Sequence, residues 1–101
     1  MNAKELRIRV LMTLQVALLG RVTANMQSVL VSWSDKDVRV RVVFDRAITS
    51  EDIELVSEIE TEVISHLPEH AVSCQAEVGS TSAKTQLYAN EVPVFQRASV
   101  V

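Results

Sequence analysis

Two alternating runs, MQSVLVSWS (26–34) and DVRVRVVFD (37–45), constrain the fold of this chain more than any other feature. Alternation with period two puts Val29, Val31 and Trp33 on one face of a first strand, and Val38, Val40, Val42 and Phe44 on one face of a second. With Asp35 and Lys36 as a two-residue turn, Trp33 falls opposite Val38, Val31 opposite Val40 and Val29 opposite Val42, all on one side. The register is therefore self-consistent, and a hairpin is expected. Its other face carries Leu30, Ser32, Arg39 and Arg41, a semi-polar and basic surface. A hairpin with one apolar face needs a second layer to cover it.

The flanking segments supply that layer. Residues 3–19 repeat apolar side chains at Leu6, Val10, Leu14, Ala17 and Leu18, a helical spacing, and Gly20 is a C-terminal stop. A second stripe, Ile8, Met12, Val16 and Leu19, lies on the far side of that helix and also needs cover: a tail, a homodimer mate, another partner, or the rest of the domain. After the hairpin, Thr49 or Ser50 caps a helix over about 50–67, which Pro68 ends. Residues 71–78 alternate again, 79–86 form a polar loop, and 91–98 make a last strand that Pro93 confines to an edge or a bulge. The expectation is a single α+β domain over 1–101, order α-β-β-α-β-β, with an antiparallel sheet carrying two packed helices.

Length and composition agree with one core, since 101 residues that are 48% apolar make up one domain's worth of chain. The most apolar window, residues 10–20, is about half a membrane span and contains Thr13 and Gln15, so it reads as a buried helix. A lone Cys74 and the lack of a signal segment point to a reducing cytoplasm. Charge is uneven: residues 1–46 hold eight basic and four acidic side chains, residues 47–101 two basic and nine acidic. The two halves should present opposite potentials.

Most of that negative charge lies in TSEDIELVSEIETE (49–62), six carboxylates in fourteen positions without a lysine or arginine. With Ile53 at zero on a helical wheel, Glu54, Glu58, Glu51 and Glu62 fall at about 100, 140, 160 and 180 degrees, one outward stripe. First-turn carboxylates are favourable at a helix N-terminus, but like charges three and four apart cost a few tenths of a kcal/mol per pair. The stripe is either a solvated face or a docking face for a cationic protein surface. Glu60 breaks the pattern, falling among Ile53, Val56, Val63, Ile64 and Leu67. A carboxylate there needs a cation, and Arg21, Arg39 or Arg46 is the expected partner; a functional carboxylate is the alternative.

Other candidates for chemistry are weaker. His66 and His70 stand four apart with Glu69 and Cys74 nearby, but Pro68 between them spoils a shared helical face, so no metal site is expected. Cys74 points to the core side of its strand as an ordinary buried thiol. The chain has no serine elbow, phosphate-cradling glycine loop or paired cysteines, so neither an enzyme nor a cofactor is expected. Nucleic-acid binding through a face shared by Arg39, Arg41, Phe95 and Arg97 is opposed by a pI of 5.3 and by the acidic helix.

The stretches ALLGRVTANMQSVLVSW (17–33) and VVFDRAITSEDIELVSEIETEVISHLP (42–68) resemble a family of small bacterial single-domain proteins. That family has a first helix ending in Leu-Leu-Gly, a Val-Thr-x-Asn link, a tryptophan at the hairpin, a Phe-Asp corner and a Glu-rich second helix ending before proline. VFQR (94–97) is similar to its closing strand, whereas Arg46 stands where relatives have glycine. Some members look like immunity proteins of contact-dependent growth inhibition systems. The resemblance implies a cytoplasmic protein that binds a cognate toxin domain, often a nuclease with a basic cleft. Charge, not the family pattern, then nominates Glu51, Glu54, Glu58 and Glu62 as contact residues, with Asp35 and Asp37 at the hairpin tip as further candidates. A homo-oligomeric adaptor using the first helix is the alternative.

Overall fold

A computed structural model describes residues 1–79 and 87–98. The elements follow the expected order: α1 (Ala3–Leu18), β1 (Met26–Trp33), β2 (Asp37–Phe44), α2 (Ser50–His66), β3 (Ala71–Val78) and β4 (Val92–Gln96). The polar loop expected over 79–86 lies, from residue 80 on, outside the described residues.

The hairpin has the register read from its alternation, with Trp33 opposite Val38, Val31 opposite Val40 and Val29 opposite Val42. Its turn is tied by Ser34, whose N–H donates to the Asp37 carbonyl at 2.8 Å and whose Oγ accepts from the amides of Lys36 and Asp37. α1 buries the stripe Leu6, Val10, Leu14, Ala17 and Leu18, and α2 buries Val56, Ile59 and Val63. Both helices pack on the sheet face carrying Val29, Val31, Val38, Val40 and Val42, forming one apolar core closed by Met26, Phe44 and Leu67. The Asn2 side chain caps α1 by accepting from the Glu5 amide at 2.8 Å, and Gly20, at φ 72°, makes the left-handed exit after it.

The sheet corrects one expectation. Its order is β3-β2-β1-β4, and although β1 is antiparallel to both β2 and β4, β3 runs parallel to β2. The sheet is therefore mixed, not antiparallel. The physical reason is the length of α2: 17 residues rise about 25 Å, the span of an eight-residue strand, so the helix carries the chain back to the start of β2 before β3 begins. Alternation along each strand is the same for either direction and did not reveal this.

Arg46, which departs from the glycine of the resemblance, anchors α2. Its Nη1 donates to Asp52 Oδ2 at 2.6 Å and its Nη2 to Oδ1 at 3.3 Å, while Thr49 and Asp52 form a reciprocal capping box. The bond from Arg46 and the amide of Thr49 hold the Asp52 carboxyl down at about 2. Only the carboxylate makes these bonds, so their stabilisation is complete above pH 4 and drains away as the pH falls towards 2. Urea midpoints measured across that window are expected to fall for the wild type and to fall less for Asp52→Asn.

Candidate functional site

The outward face of α2 is acidic, as its sequence indicates, but it is not uncompensated. Glu51, Glu54 and Glu58 are exposed and Glu62 is half-buried. Arg21, in the link after α1, turns back over this face: its Nε lies 3.6 Å from Glu58 and its Nη1 3.8 Å from Glu62, while Nη1 also donates to the Ala17 carbonyl. Glu62 further faces His66 Nε2 at 3.7 Å. The balancing cation thus comes from 37 positions before Glu58, beyond the reach of any local charge count. Glu51 and Glu54 keep the most open part of the stripe. Asp35 and Asp37, by contrast, belong to the hairpin tip, which the Ala71 amide joins by donating to the Lys36 carbonyl. The tip therefore lies by the C-terminal end of α2, a helix length from Glu51, and the two sets of candidates do not form one patch.

Glu60 has no arginine. Arg21 is committed to Glu58 and Glu62, Arg46 to Asp52, and Arg39 is exposed on the opposite sheet face. Instead Glu60 Oε2 accepts from the backbone amide of Cys74 at 2.9 Å. This corrects the expectation of a cation partner, and the cause is the parallel crossover, which makes β3 the edge of the sheet and turns the Cys74 amide outward beneath α2. Burial, together with the charge of Glu60, pushes the Cys74 thiol up to about 12. It is an inert, protonated side chain at neutral pH.

The apolar arc of α2 is also shifted from its expected centre. The side chains it buries are Asp52, Val56, Ile59 and Val63, whereas Ile53 and Ile64 are 60% and 44% exposed. Ile53 borders a groove of about 490 Å³ that is also lined by Ile48, Val56, Glu60, Cys74 and Ala76, and Ile64 lies one turn beyond Glu60 on the same side of the helix, outside that lining. Sequence reasoning missed this site because it assigned both isoleucines to the core. The signal was the width of the apolar arc, broader than one sheet can cover.

The basic sheet face is not assembled as a cation platform. Arg41 is enclosed: its Nε and Nη2 donate to the two oxygens of Glu91 at 2.7 and 2.6 Å, its Nη1 donates to Glu77 at 2.7 Å, and the Tyr88 ring lies 3.9 Å from its guanidinium. The Glu91 bond is the main cause of its raised pKa. Phe95 pairs with Val29 on the helix-covered side, and Arg97 donates to Asp45 and to the Ala24 carbonyl. His66 and His70 are likewise not brought together as ligands. The His70 ring is buried without a hydrogen bond, and among the described residues no group of three His, Cys, Asp or Glu side chains could hold a metal ion.

On α1 the second apolar stripe is open, with Ile8, Met12, Val16 and Leu19 between 42% and 72% exposed. Packing within the described residues does not cover it. No helix among them is long and apolar enough to cross a membrane. Against known proteins, a family model described as MafI2 immunity protein matches residues 7–99. No curated protein matches the chain.

Proposed function

The chain belongs to the MafI2 immunity protein family, and from that premise we propose that it neutralises a cognate bacterial toxin domain by direct contact in the cytoplasm, without catalysis. Family membership is the observation that carries this reading. The toxin is proposed to be a nuclease, because the exposed carboxylates of α2 suit a basic, nucleic-acid-binding cleft. Glu51 and Glu54 supply the open charge. Glu58 and Glu62 join them when a stronger cationic surface displaces Arg21, whose contacts at 3.6 and 3.8 Å are loose ion pairs of small worth.

The test is co-expression with the toxin domain encoded beside this gene, scored as rescue of growth, followed by binding kinetics. Glu54→Lys with Glu58→Lys is expected to slow association about tenfold at low salt, with a smaller effect above 0.5 M. Unchanged association in the double variant would remove the acidic-docking mechanism and leave neutralisation standing.

A homodimer through α1 is the second reading, favoured by its exposed stripe and by its charge. Lys4 and Arg7 lie at its N-terminal end and the cation at its C-terminal end, Arg21 on the Ala17 carbonyl, comes from outside the helix, so an antiparallel copy would add cations to each helix C-terminus. A monomeric mass by light scattering at high concentration removes it.

A further inference from the structure

The two edges of the sheet are treated differently. β4 is five residues long, contains Pro93 and is bulged against β1 between Val29 and Leu30, so it offers a poor template for another strand. β3 is eight residues long, contains no proline and pairs with β2 without a register break. The Ala71 amide donates to the Lys36 carbonyl and the Gly79 amide to the Phe44 carbonyl, so the odd-numbered peptide groups of β3 face β2. Those of Val72, Cys74, Ala76 and Val78 therefore face away from the sheet. Among the described residues, Glu60 meets the Cys74 amide.

Above this edge lies the groove under Ile53, a large apolar side chain left 60% exposed on a helix that buries Val56, Ile59 and Val63 in the core. Ile64 stands one turn beyond Glu60 on the same side of α2. An open backbone ladder, an apolar roof over it and a carboxylate with no ion pair among the described residues thus occupy one place. Each asks for a different part of the same ligand: extended backbone, apolar side chains, and a cation.

We infer that the outer edge of β3, unpaired by any described strand, is where an extended segment of the toxin domain adds as a fifth strand, with apolar side chains under Ile53 and Ile64 and a lysine or arginine on Glu60. This rests on the immunity reading and deepens it. Main-chain bonds to Val72, Ala76 and Val78 give affinity, while alternate side chains facing α2 give selection. A second copy of this chain is disfavoured as the occupant, because β3 paired with its own image brings Glu60 towards Glu60 with no cation between them.

The test measures binding of the toxin domain to the full chain. Ala76→Pro removes an outward amide that the sheet does not use, and Ile53→Asp places a charge on an exposed site; neither breaks a bond of the fold. Each is expected to weaken binding at least tenfold with an unchanged circular dichroism spectrum. Hydrogen exchange at Val72, Ala76 and Val78 should slow on complex formation. Should Ala76→Pro fail to fold, Ile53→Asp and the exchange data carry the test. Both variants binding at wild-type strength, with those amides unprotected, overturns strand addition while immunity stands; wild-type protein that binds no toxin domain overturns both. A dimer of the free chain that Ala76→Pro dissolves overturns it in favour of a second copy.

Discussion

Arg41→Met is expected to lower folding stability by about 3 kcal/mol, read from urea or thermal unfolding of the purified chain. Arg41 is 9% exposed and the Glu91 side chain 4%, and a guanidinium grips both carboxylate oxygens at 2.6 and 2.7 Å. Glu77 and the face of Tyr88 close the remaining sides. Removing the arginine leaves Glu91 cut off from water with, among the described residues, the Tyr88 amide as its remaining donor, and an uncompensated buried carboxylate is far costlier than the pair was worth. The sign with pH follows. In the wild type Arg41 holds Glu91 below its ordinary range, so the pair stabilises at neutral pH and weakens on acidification. In the variant the desolvated carboxyl prefers its proton, so the deficit should shrink as the pH falls towards 4. Adding Glu91→Gln to Arg41→Met should restore part of the loss, and the double-mutant cycle gives the coupling. A loss under about 1 kcal/mol would mean the pair is reached by water.

Phe44→Ala is expected to cost about 3 to 5 kcal/mol, a large share of the 5–15 kcal/mol available to a typical domain. Phe44 is 0% exposed and ends β2 opposite Met26 and beside Val78, where three strands and the base of the helices meet. Nothing can collapse into the space without moving the β1–β2 and β2–β3 ladders together. Ile53→Ala is the control: the carbons it removes are those whose loss from a core isoleucine is costly, yet at 60% exposure this change should stay within about 0.5 kcal/mol. Equal losses at the two positions would place Ile53 in the core and remove the groove beneath it.

The two isoleucine positions also show where reading the sequence stops. Their spacing is that of core residues, and helical periodicity reports which side chains share a face, not how much of that face the sheet can cover. The same holds for α1, whose first stripe is buried as its spacing indicates and whose second is open. Glu60 stood out as a carboxylate among apolar neighbours, a genuine local signal. Its partner was hidden, because a backbone amide on an edge strand has no signature in the sequence. Arg21 on Glu58 and Glu62 was hidden for a related reason: charge patterns are read along a helix, and this cation arrives from another element.

What the residues alone determined is everything governed by short periods and caps. These are the hairpin register, the faces of the strands, the buried stripe of α1, the start of α2 at Thr49 or Ser50 and its end at Pro68, and the family resemblance carried by residues 17–68. Each depends on interactions within a few positions, or on two strands joined by a tight turn. Only the tertiary structure decided the direction of β3, the enclosure of Arg41, the partner of Glu60 and the exposure of Ile53. Those depend on where a helix of a given length sets the chain down, which fixes long-range neighbours that no local pattern encodes.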